Sequence, residues 1–345
     1  MNVESVTIKE IAKICHVGVS TVSRAINDHP DINQDTKNRI MKAVEDYGYV
    51  PNNAARNLKI TDGKTVAVLV KGITNPFFSD MLRVFEKDLA ERGYSMILQH
   101  VDEYKDETDT AMLLEREKRL NGIVFLGGIF ERLEDRLDRI GVPFVFSTVG
   151  VTDSVNHKRY AYVAVNDISE SRRMVEYLLD LGMKRIAIIC ASENDRSIGV
   201  LRLDGYLQAL EARRISPDPD LILRPVDEED TYSYKNGYDC VKRLYQSGTK
   251  FDCVYAISDT LAIGAMRALK DLGLQIPEDI SVAGFDGIST GCYTIPTLTT
   301  LKQPTEAMAH ESLKALFEQI EHPEYPKQHN LFESELIVGE STRKI

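Results

Sequence analysis

The stretch from Val6 to Asp28, VTIKEIAKICHVGVSTVSRAIND, decides how the start of the chain folds. Thr7 and Glu10 have the spacing of a capping box, which predicts that a helix begins directly after Thr7. Gly18 permits a tight turn, and a second short helical pattern follows it. The stretch therefore predicts two short helices joined by a glycine-containing turn.

The second helix has an apolar face and a polar face. Ser20, Thr21 and Arg24 share the polar face, and a third helical pattern over about residues 33–47 can close a small core. This order is typical of a helix-turn-helix domain. Short polar side chains suit close approach to a major groove, where Arg24 can read a guanine edge. The alternative is a three-helix domain that packs against another protein.

Several separate stretches together resemble the LacI/GalR family of bacterial transcription regulators. They are the opening stretch and YGYVPNNAARNLK, ITNPFFSDML, RLNGIVFLGG, SDTLAIGAMRALKDLGLQIPEDISVAGFDG and PTLTTLKQP. These pieces cover essentially the whole chain. The resemblance implies a DNA-binding regulator whose head is followed by an effector core like a periplasmic sugar-binding protein, with crossovers between two lobes.

The charge distribution places any DNA contact in the head. The 345 residues carry a net charge of −11, yet residues 1–60 contain eight Lys/Arg and seven Asp/Glu. The acidic excess therefore lies in the remainder, which should repel DNA. The five scattered cysteines fit a reduced, cytoplasmic compartment, and no apolar stretch is long enough for a membrane span.

From Thr65 onward, apolar strand patterns alternate with amphipathic helix patterns in two successive series. Such alternation predicts parallel sheets covered by helices. We therefore predict an α+β multidomain protein: an all-α helix-turn-helix head at 1–50, a hinge helix and linker at 51–64, and a core of two α/β lobes at 65–345. The predicted lobes comprise about 65–162 with 299–325, and about 163–298 with 326–345.

The loops after the predicted strands are where a ligand of such a core would bind. Carboxylates, guanidinium groups and aromatic rings in these loops suit a polyhydroxylated or heterocyclic ligand. The predicted effector-binding residues are Phe77, Phe78, Thr148, Arg196, Arg202, Tyr232, Ser258 and Asp286.

The resemblance assigns roles to several of these positions. It implies that Arg202 and Asp286 are the family's effector arginine and aspartate, and that Arg196 matches an arginine of the purine-responsive branch. Thr148 and Ser258 depart from the family, which often has aspartate and asparagine there. The predicted effector is a sugar, a sugar phosphate or a nucleobase.

The segment YVPNNAARNLKITDGK at 49–64 predicts a helix of roughly nine residues, too short to persist alone. Within NNAARNLK at 52–59, Leu58 is the one large apolar side chain. In a dimer, two such helices could pair and insert Leu58 into a minor groove, as the resemblance also implies. The predicted DNA-binding residues are Thr7, Val19, Ser20, Thr21, Arg24, Asn27, Asn52, Ala55, Arg56, Leu58 and Lys59.

The main prediction is a homodimeric repressor that binds a pseudo-palindromic operator and responds to a small-molecule effector. Within the same fold, the alternative is a global carbon regulator controlled by a phosphorylated carrier protein. A transporter's sugar-binding component would lack the DNA-binding head. We found no catalytic constellation and no metal-ligand or cofactor motif, so the sequence predicts a non-enzyme. The sequence ends without a leucine heptad, which favours a dimer.

Overall fold

The structure, a computed structural model, describes residues 6–26, 31–47, 49, 64–102, 105–128, 134–149, 160–192, 197–225, 230–324 and 326–345. Contacts divide the chain into two compact units, Met1–Gly63 and Lys64–Ile345. Each unit buries a hydrophobic core of its own.

The first unit is the predicted helix-turn-helix head. Its described helices are α1 (Ile8–Ile14), α2 (Val19–Ile26) and α3 (Gln34–Asp46). The start of α1 is fixed by Glu10, whose carboxylate accepts hydrogen bonds from Thr7 N at 2.6 Å and Thr7 Oγ1 at 2.8 Å. Asn33 Oδ1 caps α3 by accepting from Asp35 N at 2.9 Å. The core of the head consists of Ile11, Ala12, Cys15, Val22, Ala25, Ile40 and Ala43.

The second unit contains two six-stranded sheets. The first sheet has the order β11-β5-β4-β3-β1-β2, and all neighbouring strands in it are parallel. The interior strands are apolar and buried along their length, as expected for a parallel sheet covered on both faces. Its strands are β1 (Thr65–Lys71), β2 (Ser95–Val101), β3 (Gly122–Leu126), β4 (Phe144–Ser147), β5 (Ala161–Val165) and β11 (His329–Phe332).

The second sheet has the order β12-β10-β9-β8-β6-β7. It is parallel except for β12, which pairs antiparallel with β10. The carboxyl ends of its central strands therefore lie at one edge. The strands are β6 (Ile186–Ile189), β7 (Ile222–Leu223), β8 (Cys253–Ala256), β9 (Ser281–Asp286), β10 (Thr299–Lys302) and β12 (Glu335–Ile337).

Helices alternate with the strands of both sheets. The helices of the first series along the chain are α4 (Phe77–Glu91), α5 (Glu107–Lys118) and α6 (Glu134–Leu137). The helices of the second series are α7 (Asp167–Asp180), α8 (Ile198–Ala212), α9 (Tyr234–Ser247) and α10 (Asp259–Asp271). The last helix, α11 (Thr305–Glu321), packs on α4 and on β3, β4 and β5, so it covers the first sheet.

The chain crosses between the two lobes three times. It passes from β5 to α7 through Asn166, from β10 to α11 through Gln303–Pro304, and from β11 to β12 through Glu333–Ser334. The prediction of two α/β lobes with crossovers is confirmed.

The predicted lobe limits were wrong for three strands. The predicted limit at 162/163 falls inside β5, which belongs entirely to the first sheet. Strand β10 was assigned to the first lobe but pairs with β9, and β11 was assigned to the second lobe but pairs with β5. The physical reason is that each crossing connects a strand of one sheet to the next element of the other lobe.

Among the described helices, none is long and apolar enough to cross a membrane.

Candidate functional site

The exposed face of α2 carries the predicted base-reading residues. Ser20 and Arg24 are exposed and Thr21 is half-buried, while Val22 and Ala25 on the opposite face are in the core. Residues three and four apart lie side by side on a helix, so these polar side chains form one surface. Arg24 forms no ion pair with any residue that the structure describes. Its guanidinium is thus available for a base edge or phosphate.

The other predicted head and hinge residues divide into two groups. Val19 is exposed at the start of α2, which fits a surface contact. Thr7 is also exposed, but its hydroxyl is bonded to Glu10. Outside the described residues lie Asn27, Asn52, Ala55, Arg56, Leu58 and Lys59.

In the second unit, Arg202 is the centre of a polar cluster at the carboxyl ends of the second sheet's strands. Its side chain is 1% exposed, and its guanidinium carbon lies 3.6 Å from the ring centroid of Phe285. Nε donates to Asp167 Oδ1 at 2.8 Å, and Nη1 donates to Ile257 O at 2.6 Å and to Asp286 Oδ1 at 3.1 Å. Three of the five N–H groups are therefore committed.

The remaining two N–H groups of Arg202 are on Nη2. No described residue accepts a hydrogen bond from Nη2. A guanidinium held at Nε and at Nη1 and stacked over a ring face cannot rotate freely, so the direction of Nη2 is fixed. This arrangement can donate two hydrogen bonds to a molecule in the cleft at little further entropic cost.

Asp286 connects the two lobes. It is the last residue of β9, and its backbone φ is +115°, a strained value for a residue with a Cβ. Oδ1 also accepts from Gln303 Nε2 at 2.9 Å, while Oδ2 accepts from Asn75 Nδ2 at 3.4 Å. Asn75 belongs to the loop between β1 and α4, in the first lobe. The two rims of the cleft therefore meet at this carboxylate.

A second contact spans the cleft beside it. Thr74 Oγ1, in the first lobe, donates to Asp230 Oδ1, in the second, at 3.4 Å. Asn75 Oδ1 at the same time accepts from Phe77 N at 3.0 Å, which ties the loop to the start of α4. Two hydrogen bonds of 3.4 Å therefore join the first lobe to the second at this edge of the sheets.

The carboxylates of Asp167, Asp259 and Asp286 are all buried, and burial shifts their pKa values upward. Asp167 begins α7, and burial raises its pKa to about 6 against the lowering effect of Arg202. Asp259 begins α10, and burial together with nearby Asp286 raises its pKa well above the usual aspartate range. Asp259 Oδ1 accepts from Thr300 Oγ1 at 2.6 Å. Burial likewise raises the pKa of Asp286.

Asp259 approaches strand β9 closely, and Gly284 permits this. A Cβ on Gly284 would lie 2.2 Å from Asp259 Oδ1. Asp167 and Asp286 pair with Arg202, and Asp259 lies near Asp286, so the three carboxylates carry more negative charge than one guanidinium offsets when all are ionised.

The other predicted effector-binding residues differ in where they lie relative to this cluster. Tyr232 lies near it, with its hydroxyl 3.1 Å from Ser197 Oγ at the start of α8. Thr148 is buried with a φ of +70°, and its Oγ1 accepts from Gly127 N at 3.2 Å. Arg196 lies outside the described residues.

Three predicted residues are turned into the protein interior. Phe77 and Phe78 are 5% and 9% exposed and pack edge to face at 5.3 Å in the hydrophobic core. Ser258 is fully buried and caps α10 by accepting from Leu261 N at 3.3 Å. These side chains support the walls of the cleft, so direct effector contact by them remains a prediction.

Four residues of the cluster are not among the predicted effector-binding residues: Asn75, Asp167, Asp259 and Gln303. Asp167 and Asp259 stand at helix starts, where an aspartate usually stabilises the helix end. Asn75 precedes the Pro76-Phe77-Phe78 stretch, and its position after β1 was a usable signal. No group of three or more metal-ligating side chains occurs within the described part of the chain.

Comparison with known proteins places these features in a family. Residues 7–52 match the model of bacterial regulatory proteins of the lacI family, and residues 175–342 match a periplasmic binding protein-like domain. The chain is 37% identical over 336 residues to the HTH-type transcriptional regulator MalR of Clostridium butyricum, covering 97% of this chain and 98% of that protein.

Two sugar-bound structures are also similar. A complex of the transcriptional regulator CelR with cellobiose is 27% identical, with a TM-score of 0.71, over 97% of this chain and 99% of the other. A ribose-bound LacI family regulator from Enterococcus faecium is 28% identical, with a TM-score of 0.68, over 82% of this chain and 100% of the other. The relatives are regulators, which agrees with the prediction of a non-enzyme.

Proposed function

The chain belongs to the LacI family of bacterial regulatory proteins and is a DNA-binding transcription regulator, and we propose that it is a homodimeric repressor controlled by an uncharged polyhydroxylated effector. The effector binds in the cleft beside Arg202 and changes affinity for a pseudo-palindromic operator. The observation that carries this proposal is the guanidinium of Arg202, which is fixed on three N–H groups and presents Nη2 without a described partner.

The charge balance around the cleft favours a neutral ligand over a sugar phosphate. The positive charge of Arg202 is matched by Asp167 and Asp286 at 2.8 and 3.1 Å. Lys71, at the end of β1, is likewise paired with Glu107 at 3.0 Å. A phosphate would therefore meet paired cations and surplus carboxylates, whereas hydroxyl groups can donate to carboxylates and accept from Nη2. The cellobiose and ribose complexes of relatives support the same class.

A thermal-shift screen of the full chain tests the ligand class. Neutral mono- and disaccharides, including cellobiose and ribose, should include a molecule that raises the melting temperature and alters operator binding. Their phosphorylated counterparts and free nucleobases should be weaker. Stabilisation by sugar phosphates alone would contradict the neutral-ligand proposal. Control by a phosphorylated carrier protein would instead appear as a change in operator affinity on adding that protein, with no response to any sugar.

Arg24 is expected to read a base, and Lys9 a phosphate. Arg24→Ala should weaken binding to the operator by about 1–3 kcal/mol per half-site and affect random DNA less, because bidentate base contacts carry specificity. Lys9 is exposed on α1. Lys9→Ala should weaken binding to operator and to random DNA alike, and it should reduce the salt dependence of the affinity. Fluorescence anisotropy on both DNAs at several salt concentrations measures this. Equal losses for Arg24→Ala would assign it to phosphate binding.

A pair of exposed apolar residues is the candidate dimer contact of the core. Tyr293 and Ile295 are 85% and 95% exposed, and they stand two positions apart in the connection between β9 and β10. Exposed apolar side chains of this size often mark a protein interface. Ile295→Asp is expected to weaken the dimer about tenfold or more, since it would desolvate a charge. Analytical ultracentrifugation compares it with Val338→Asp, a substitution at another exposed site. An unchanged dimer would remove this loop from the interface.

A further inference from the structure

Asp167 holds one edge of Arg202 and is itself incompletely satisfied. Its Oδ1 accepts from Arg202 Nε at 2.8 Å, and both side chains are 1% exposed. Its Oδ2 is buried and has no hydrogen-bond partner among the described residues. A buried carboxylate oxygen without a partner destabilises the fold, so helix capping alone does not explain an aspartate here. An uncharged residue could begin α7 without that penalty.

The position of Asp167 in the chain links it to the lobe crossings. It directly follows Asn166, the crossing residue between β5 of the first sheet and α7 of the second lobe. Asn166 Oδ1 caps α7 by accepting from Ser169 N at 3.1 Å. The other carboxylate on Arg202, Asp286, is bonded to Gln303, which lies in the second crossing. Both carboxylates that hold Arg202 are therefore tied to segments that must move when the lobes move.

We propose that Asp167 is a positioning residue that orients Nη2 of Arg202 toward the effector and makes this orientation depend on the lobe crossing. The proposal rests on the proposed effector site. A shift of the crossing would change the Asp167–Arg202 contact and with it the direction of Nη2. Effector binding would in turn favour the lobe arrangement in which the contact is intact, because a ligand stabilises the conformation that binds it better.

The charged and titratable groups around Asp167 determine how the contact depends on pH. Four such groups lie near the Asp167 carboxylate. They are Arg202 on α8, Asp286 on β9, Glu170 on α7 itself and the hydroxyl of Tyr255 on β8. Burial raises the pKa of Asp167 to about 6, so the carboxylate gains a proton within an accessible pH range. On protonation the contact with Nε loses its ionic character and resembles that of an asparagine.

Three variants of the full chain separate positioning from simple packing. Asp167→Ala removes the acceptor, and Asp167→Asn retains an oxygen acceptor without the charge. The matched control is Asp180→Asn, at the other end of α7, where the aspartate forms an exposed ion pair with Arg213. Side-chain NMR of the arginine Nε–H groups, without any ligand, should show the Arg202 signal exchanging at least about tenfold faster in Asp167→Ala than in wild type. Asp167→Asn and Asp180→Asn should retain it.

Titrations with cellobiose and ribose add a functional readout. For whichever of the two binds wild type, Asp167→Ala should bind it about 10- to 100-fold more weakly, as expected when a charged hydrogen bond is removed. Asp167→Asn should lie between the two at pH 7.5 and should converge with wild type as the pH falls through about 6. Both proteins retain Asp286 and Glu170, so the difference between them reports on Asp167.

The outcomes distinguish the two proposals. If wild type binds neither sugar but the Nε–H signal behaves as expected, these sugars are excluded as effectors and the positioning role stands. If the Nε–H signal is unchanged in Asp167→Ala, or if Asp167→Ala binds the sugar as tightly as wild type, the positioning role is overturned. A failure of Asp167→Ala to fold leaves the pH-dependent comparison of Asp167→Asn with wild type, where parallel pH profiles would also overturn it.

Discussion

Arg202→Ala is expected to lower the free energy of unfolding by about 3–5 kcal/mol and to abolish the effector response, because it leaves buried carboxylates without their cation. In wild type, Arg202 is paired with Asp167 and Asp286, and all three side chains are at most 3% exposed. Urea unfolding of the full chain at neutral pH measures the loss. Arg213→Ala, which breaks an exposed pair with Asp180, should change stability by less than about 1 kcal/mol.

The loss in Arg202→Ala should depend on pH in a defined direction. Burial already raises the pKa of Asp167 and of Asp286, and removing the guanidinium raises both further. An acid whose pKa is higher in the folded than in the unfolded state destabilises the fold as the pH rises above the unfolded value of about 4. The deficit relative to wild type should therefore be small near pH 4 and grow toward neutral pH.

A second substitution tests whether the carboxylates cause the deficit. Adding Asp167→Asn to Arg202→Ala removes one uncompensated charge and should recover part of the lost stability at neutral pH. Recovery should be smaller near pH 4, where the carboxylates of the single variant are already protonated. A deficit that is independent of pH and unaffected by Asp167→Asn would instead indicate lost packing against Phe285, on which the guanidinium lies.

The sequence predicted the head well because its signals are local. The Thr7–Glu10 capping pair, the glycine turn and the apolar spacing act over three or four residues, and α1 and α2 begin where these signals place them. The third helix also matches its predicted span of about 33–47, although Tyr47 at its C-terminal end is 53% exposed and adds nothing to the core. Ala43 takes the buried position one turn earlier.

The core was predicted correctly as to class but not as to strand pairing. Apolar runs identify β10 and β11 as strands, yet nothing in either run states which sheet receives it. Pairing depends on contacts between residues far apart in the chain, such as Thr299 with Ala283 and His329 with Tyr162. Because the chain crosses between the lobes three times, the order of elements in the sequence alone does not predict which lobe each strand belongs to.

The site shows the same limit at the level of side chains. The rule that ligands bind beyond the ends of parallel strands located Arg202 and Asp286. It could not show that the Phe77 and Phe78 rings point into the core, since their direction is set by the packing of α4. Nor could it identify Asp167, because in the sequence alone an aspartate at a helix start is already accounted for by its stabilising effect on the helix end. Its pairing with Arg202, 35 residues away, becomes visible only in three dimensions.

Leu58→Ala is expected to weaken operator binding by a few kcal/mol, the order of the unstacking energy that an inserted side chain offsets, and to reduce the DNA bend. Residues 51–63 lie outside the described residues, so this prediction rests on the sequence. Leu58 is the one large apolar residue of NNAARNLK at 52–59, a helical pattern too short to persist as an isolated helix. If its partner is the minor groove, the free protein loses nothing when the side chain is truncated. The melting temperature without DNA should therefore be nearly unchanged.

A core leucine provides the matched control for this substitution. Leu69 lies in β1 and is 2% exposed, so Leu69→Ala should lower stability by about 2–5 kcal/mol through the cavity it creates, without reducing the bend in operator bound by the remaining folded protein. Melting curves and a gel-based bending assay on both variants give opposite patterns if Leu58 is a wedge. A large fall in melting temperature with normal bending for Leu58→Ala would show that this leucine packs within the protein. Wild-type helix content should also rise on operator binding, because a helix that forms only with DNA and its partner hinge adds its signal at that moment.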